Sequence, residues 1–198
     1  MKRSSLRIRV AGSVLRRSAG FVLMLASSLA PAQSPSFSLV SPDFGPNLPM
    51  AASHILNGYG CTGQNRSPAL EWRGAPKGTK SFAITMFDMD EHGSPSGWWH
   101  WVVYNVPGTT SRLPENAGAI NGSGLPTGAV QGRTDLGQDA YHGPCPGKGE
   151  PPHRYLITIY ALSVEKLAVS AEASGAMVTW TAHDYTLAKA TLTARWGR

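Results

Sequence analysis

The sequence lacks the local signatures by which many active sites announce themselves. It contains no H-E-x-x-H, no G-x-S-x-G and no C-x-x-C. The first absence removes a helix-borne zinc hydrolase motif and the second removes a nucleophile elbow. The third argues against a thiol-redox couple or a paired-cysteine zinc site. There is no internal repeat, no long run of like charge, and no basic stretch interleaved with aromatics. Acids are also missing from one place: residues 1–17 carry Lys2, Arg3, Arg7, Arg9, Arg16 and Arg17 and neither Asp nor Glu.

That basic start is followed by an apolar run containing Phe21, Val22, Leu23, Met24 and Leu25, and then by Ala30-Pro31-Ala32. A basic region, a short apolar region and a small-x-small triplet make an export signal with cleavage expected after Ala32. The run is too short to span a bilayer comfortably. Residues 1–32 therefore read as a signal peptide and 33–198 as a single domain. No transmembrane segment is expected after cleavage, and the periplasm or the exterior is the expected location. The formal charge of +6 arises in the leader, because six of the 18 Lys+Arg lie there and none of the 12 Asp+Glu. The remainder is balanced, so no positive field is left to attract nucleic acid. Both cysteines, Cys61 and Cys145, survive cleavage. In an oxidising compartment a disulfide is the expected pairing, with two buried thiols as the alternative.

Glycine and proline are frequent and scattered, as turns between strands require. Residues 37–40 read as a short first strand. Residues 80–88 alternate Phe82, Ile84 and Met86 against Ala83, Thr85 and Phe87; both faces are apolar, which predicts a central strand. Residues 98–106 predict another, with His100, Val102, Tyr104 and Val106 on one face and Trp99, Trp101 and Val103 on the other. Residues 153–162 place His153, Tyr155, Ile157 and Ile159 together. Ala173, Ala176, Met177 and Trp180 recur at helical spacing and predict an amphipathic helix. Residues 190–196 alternate as a final strand. The long Gly- and Pro-rich connection 135–152 has the length of a functional loop.

Several polar groups fall at strand ends and in such loops. Asp88 and Asp90 close one strand, and His100 sits within Trp98-Trp99-His100-Trp101. His142 precedes Gly143-Pro144-Cys145-Pro146, and His153-Arg154-Tyr155 follows. Taken singly, a histidine in an apolar strand is more often a satisfied core group, and a carboxylate at a strand end is commonly a turn former.

Together, Gly60-Cys61-Thr62-Gly63-Gln64-Asn65-Arg66-Ser67-Pro68, Asp88-Met89-Asp90, Gly97-Trp98-Trp99-His100-Trp101, Gly143-Pro144-Cys145-Pro146 and His153-Arg154-Tyr155 resemble the phosphatidylethanolamine-binding family. Its bacterial Raf-kinase-inhibitor-like branch is the nearest in pattern. The resemblance runs from about residue 37 to residue 196. It implies an antiparallel β-sandwich with one or two C-terminal helices, and a pocket for phosphate-like anions or a phosphorylated headgroup. By position, the implied ligand-binding residues are Asp88, Asp90, His100, Gly143, Pro144, Pro146, His153 and Tyr155. Imidazolium, Tyr hydroxyl and backbone N–H donors suit an anion site that has few cations. Asp88 is expected to orient His100 and favour its protonated form.

Two departures stand out. The family usually shows Asp-Pro-Asp-x-Pro; here Met89 replaces the first proline, Glu91-His92 follow, and the segment to Gly97 is one residue longer. Where the family reads Pro-Pro-Lys-Gly, Gly147 replaces the second proline. The expected function is an exported, non-enzymatic binding protein without cofactor or resident metal. A small anion or phospholipid headgroup is the expected partner, and a protein partner or a homodimer is also compatible with this reading. Alternatives are inhibition of a partner enzyme through the pocket rim, or a metal-dependent hydrolase using Asp88, Asp90, His100, His142 and His153.

Overall fold

The computed structural model describes residues 36–94 and 96–198. The expected leader and the expected start at Gln33 lie outside the described residues. The strands in chain order are β1 (Ser38–Val40), β2 (Asn57–Gly58), β3 (Cys61–Thr62), β4 (Leu70–Arg73) and β5 (Ser81–Asp88). There follow β6 (Trp98–Pro107), β7 (Arg112–Leu113), β8 (Val130–Gln131), β9 (His153–Leu162), helix α1 (Gly175–His183) and β10 (Thr186–Trp196). A five-stranded sheet has the order β10-β9-β5-β6-β8, and a three-stranded sheet has the order β1-β4-β7. The strands pair antiparallel throughout.

β5 is central, as its two apolar faces require. Phe82, Ile84 and Met86 join Trp101 of β6 and Ile157 and Ile159 of β9 on one face. There they meet Leu39, Leu70, Trp72 and Leu113 of the small sheet in one core. Burying each of the six large-sheet side chains is worth roughly 1.5–3 kcal/mol. Their sum exceeds the contribution of any single cross-link, so inter-sheet packing is what holds the sandwich together. On the other face, Ala83, Val102, Tyr104 and Leu162 lie under Val178 and Ala182 of α1.

The helix departs from the expected stripe. Its buried positions are Gly175, Val178 and Ala182, while Met177 is 51 % and Trp180 75 % exposed. Gly175 sets the rotation: a Cβ there would run into the Trp99 ring, so the helix approaches β6 through its glycine. Val178 and Ala182, three and seven residues on, then face the sheet. Ser174 caps the helix by accepting the Met177 N–H at 3.3 Å.

β6 also departs from simple alternation. Against β5, Met86 pairs with Trp101 but Phe87 pairs with Trp99, leaving His100 as an extra residue. A second irregularity falls between Phe82 and Ile84, which pair with Val106 and Val103. Asn105, with φ at 56°, lies in the left-handed region there. Each bulge advances the alternation by one residue. Val106 therefore shares the inter-sheet core with Trp101 and Val103, and not the helix face with Val102 and Tyr104.

Candidate functional site

The bulge at His100 builds the site. It turns the ring to the side of the sheet that carries Asp88 and Tyr155, whose strands pair Asp88 directly with Tyr155. The His100 and Tyr155 rings meet edge to face with centroids 5.3 Å apart. A cavity of about 250 Å³ opens there. Strand residues Asp88, Trp98, His100 and Tyr155 line it. Loop residues Leu56, Tyr59, Glu91, Leu136, His142, Gly143, Cys145 and Pro146 complete it.

The 143–146 turn is held from beneath. Asn65 Oδ1 accepts the Gly143 N–H at 2.8 Å, and Leu56 N–H donates to the Pro144 carbonyl at 3.2 Å. A Cβ at residue 143 would run into the His54 carbonyl oxygen and the Leu56 amide, so only glycine permits this approach. Arg198 Nε donates to the Pro146 carbonyl at 2.7 Å. Cys61 and Cys145 form a disulfide with Cα atoms 6.0 Å apart, 84 positions apart in sequence. The bridge ties the strand pair β2–β3 to the turn.

The hydrogen bonds assign proton positions. His100 Nδ1 lies 2.8 Å from the His142 carbonyl oxygen. A carbonyl only accepts, so Nδ1 carries a hydrogen and Nε2 of the neutral ring presents a lone pair. His100 Nε2 is 3.9 Å from Asp88 Oδ2. The closer partner of Asp88 is His153, whose Nδ1 donates to Oδ2 at 2.8 Å, while Asp88 Oδ1 accepts the Asp90 N–H at 2.8 Å. The expected pairing is thus corrected: Asp88 orients His153, and the His142 backbone orients His100. Nor is the protonated His100 ring favoured. Burial pushes its pKa below the ordinary histidine value, against the partial offset of the His142 carbonyl and the Asp88 charge. Burial likewise lowers His142, with His100 adding to the effect. Tyr155 is fully buried, and its hydroxyl makes no well-formed hydrogen bond among the described residues, with Asp88 the acceptor beside it. Burial, with the Asp88 charge behind it, drives that hydroxyl far above the usual phenol range and keeps it a donor.

Of the residues singled out in the sequence, Asp88, His100, Gly143, Pro146 and Tyr155 line the cavity. Asp90 does not. It turns to Arg154, accepting Nε at 2.8 Å and the Arg154 amide at 2.8 Å, and this guanidinium holds its carboxyl at about 2. Pro144 is outside the lining, and His153 stands beside it as a support for Asp88. The 143–146 turn offers less backbone than expected: two residues are prolines, and the Gly143 amide is committed to Asn65. Leu56, Tyr59 and Leu136 were missed, because isolated loop apolars carry no periodic signal. His142, considered before only as a metal ligand, belongs to the cavity wall. Among the described residues the five considered for a metal-dependent hydrolase do not form one cluster of potential ligand atoms, and Asp90 is paired with Arg154.

The family profile described as phosphatidylethanolamine-binding protein matches residues 40–197. The Escherichia coli protein YbcL is 44 % identical over 162 residues, covering 82 % of this chain and 88 % of YbcL. YbhB of the same organism is 45 % identical over 159 residues, covering 79 % of this chain and 97 % of YbhB. The crystal structure of E. coli YbcL, described as a new member of the mammalian family, superposes with a TM-score of 0.79 at 43 % identity. It covers 82 % of this chain and 98 % of that one.

Proposed function

The chain belongs to the phosphatidylethanolamine-binding protein family, and on that premise we propose that it is an exported, non-enzymatic receptor for a small phosphorylated group. The buried Tyr155 hydroxyl carries this reading. It stays protonated at the cavity wall and makes no well-formed hydrogen bond among the described residues, an arrangement that is costly unless a ligand or solvent completes it. At about 250 Å³ the cavity falls below the ~300–1,000 Å³ typical of drug-sized ligands. A headgroup fits that volume better than a whole lipid.

The lining selects the ligand further. Among the described residues no Lys or Arg lines the cavity, while Asp88 and Glu91 do. A fully ionised phosphate would meet two carboxylates, and repulsion would offset its hydrogen bonds. A phosphate monoester keeping one proton, or a zwitterion such as phosphoethanolamine, answers both sets of groups. Its oxygens accept from Tyr155 and from a protonated His100, and its own acidic proton or ammonium faces the carboxylates. The Trp98, Leu56 and Leu136 walls limit water and strengthen each contact.

Calorimetric titration with inorganic phosphate and with O-phosphoethanolamine tests this. Both should bind, and Tyr155→Phe should weaken both by about 1–3 kcal/mol. Heats of dilution alone with the wild-type protein would overturn the reading. Export rests on the basic-apolar-small leader and is supported by a disulfide of the kind oxidising compartments maintain. N-terminal sequencing of periplasmic protein should start at Gln33, and an intact Met1 chain held in the membrane would exclude the cleavage. Among the described residues no helix is long and apolar enough to cross a membrane.

A further inference from the structure

His153, Glu150 and His92 stand together outside the cavity lining. The two ring nitrogens of His153 differ in their surroundings. Nδ1 donates to Asp88 Oδ2 at 2.8 Å, so Nε2 of the neutral ring carries the lone pair. That Nε2 is buried without a hydrogen-bond partner among the described residues, in a residue only 1 % exposed. It nevertheless lies 3.3 Å from Glu150 Oε2. A neutral ring nitrogen and a carboxylate oxygen at that distance repel unless a proton or a metal ion joins them, and the contact is too bent for an N–H···O hydrogen bond.

Each of the three side chains offers a ligand atom within 4.8 Å of the others, and the His92 ring meets the His153 ring edge to face with centroids 5.5 Å apart. The 3.3 Å between His153 Nε2 and Glu150 Oε2 is close to the edge of a tetrahedron with metal–ligand bonds of about 2.0 Å. Asp88 behind His153 completes the carboxylate–histidine pair that fixes a ligating ring and raises its basicity.

Glu150 is also positioned in advance. Its Oε2 accepts the Gly147 N–H at 2.7 Å. Proline at 147 would have no N–H to give, and a Cβ there would sit 2.5 Å from the Glu150 carboxyl carbon. Gly147 and His92 both belong to the stretches where the sequence departs from the pattern it resembles. The two departures converge on one cluster.

We propose that His92, Glu150 and His153 bind a divalent first-row transition metal, with zinc as the best match. Two imidazoles and one carboxylate suit that ion, with water in the fourth position. Bound there, the ion would tie the segment carrying His92 to the loop carrying Glu150. The assignment is independent of the anion reading, because neither His92 nor Glu150 lines the cavity.

The test is calorimetric titration of the chelator-stripped protein with zinc chloride, with melting curves recorded in parallel. The expected result is one equivalent bound and a higher melting temperature. His92→Ala and Glu150→Gln should each weaken binding at least tenfold. X-ray absorption at the zinc edge should show two imidazoles in the wild type and one in His92→Ala. His92 is exposed, so its replacement leaves the fold intact and the comparison valid. Glu91→Gln should bind as wild type, since Glu91 belongs to the alternative grouping with Asp88 and His153. Absence of zinc binding, equal affinity in His92→Ala, or loss confined to Glu91→Gln would each overturn the proposal.

Discussion

Replacing Asp88 by asparagine isolates one buried charge at constant shape. Asp88 is 1 % exposed and accepts from two donors, the Asp90 amide through Oδ1 and His153 Nδ1 through Oδ2, each at 2.8 Å. Asparagine has one acceptor oxygen. The Asp90 amide cannot change, so the oxygen stays with it and the new NH2 group faces His153 Nδ1. That nitrogen must then lose its hydrogen, and the ring shifts to the Nε2–H tautomer beside Glu150, whose Oε2 is 3.3 Å away. The tautomer shift removes the donor–donor clash but not the loss of the charge-assisted bond. Such a bond is worth roughly 1.5–3 kcal/mol, and at about 2–4 °C per kcal/mol for a domain of this size the melting temperature should fall by about 3–12 °C. Urea denaturation with an unchanged m-value would show that the folded state carries the effect. Nitrogen NMR of the His153 ring should report Nδ1–H in the wild type and Nε2–H in Asp88→Asn. An Asn variant that melts within 1 °C of wild type, with the His153 tautomer unchanged, would refute the reasoning.

Gly143→Ala should lower stability by about 1–3 kcal/mol and weaken phosphoethanolamine binding, because the new Cβ displaces the turn from His54 and Leu56; melting and titration of the same sample check both effects. Reducing the Cys61–Cys145 bridge should cost about 4.5 kcal/mol by the chain-entropy relation for a loop closed across 84 residues, read as a lower urea midpoint with dithiothreitol. Anion affinity should rise as pH falls toward the lowered pKa of the empty-site His100 and level off below it, since the ligand stabilises the protonated ring that burial disfavours. Titration in two buffers of different ionisation enthalpy should then show net proton uptake, and no difference between the buffers would contradict the role given to His100.

Strands β5 and β9 were legible in the sequence because burial on both faces, or on one continuous face, writes itself as uninterrupted apolar runs. The order Phe82, Ile84, Met86 and the order Tyr155, Ile157, Ile159 both survive into the core unchanged. The pairing of Cys61 with Cys145 followed from an even count in a chain expected to be exported, and the turn chemistry of Gly143 from its place between His142 and Pro144. Where one element's placement depends on another's, local pattern was silent or misleading. The helix stripe through Met177 and Trp180 has the right period on the wrong face, since rotation about the helix axis is set by Gly175 against Trp99, a contact 76 residues distant in the chain. Asp88 and Asp90 look equivalent two residues apart, yet one is sealed against His153 and the other is held by Arg154, a division made by the registry of β5 against β9. The bulge at His100 is a property of a strand pair and not of either strand. What the sequence alone determined were therefore the runs that must leave water; which side chains meet at the site was decided only when two strands, slipped by one residue, turned His100 toward Asp88 and Tyr155.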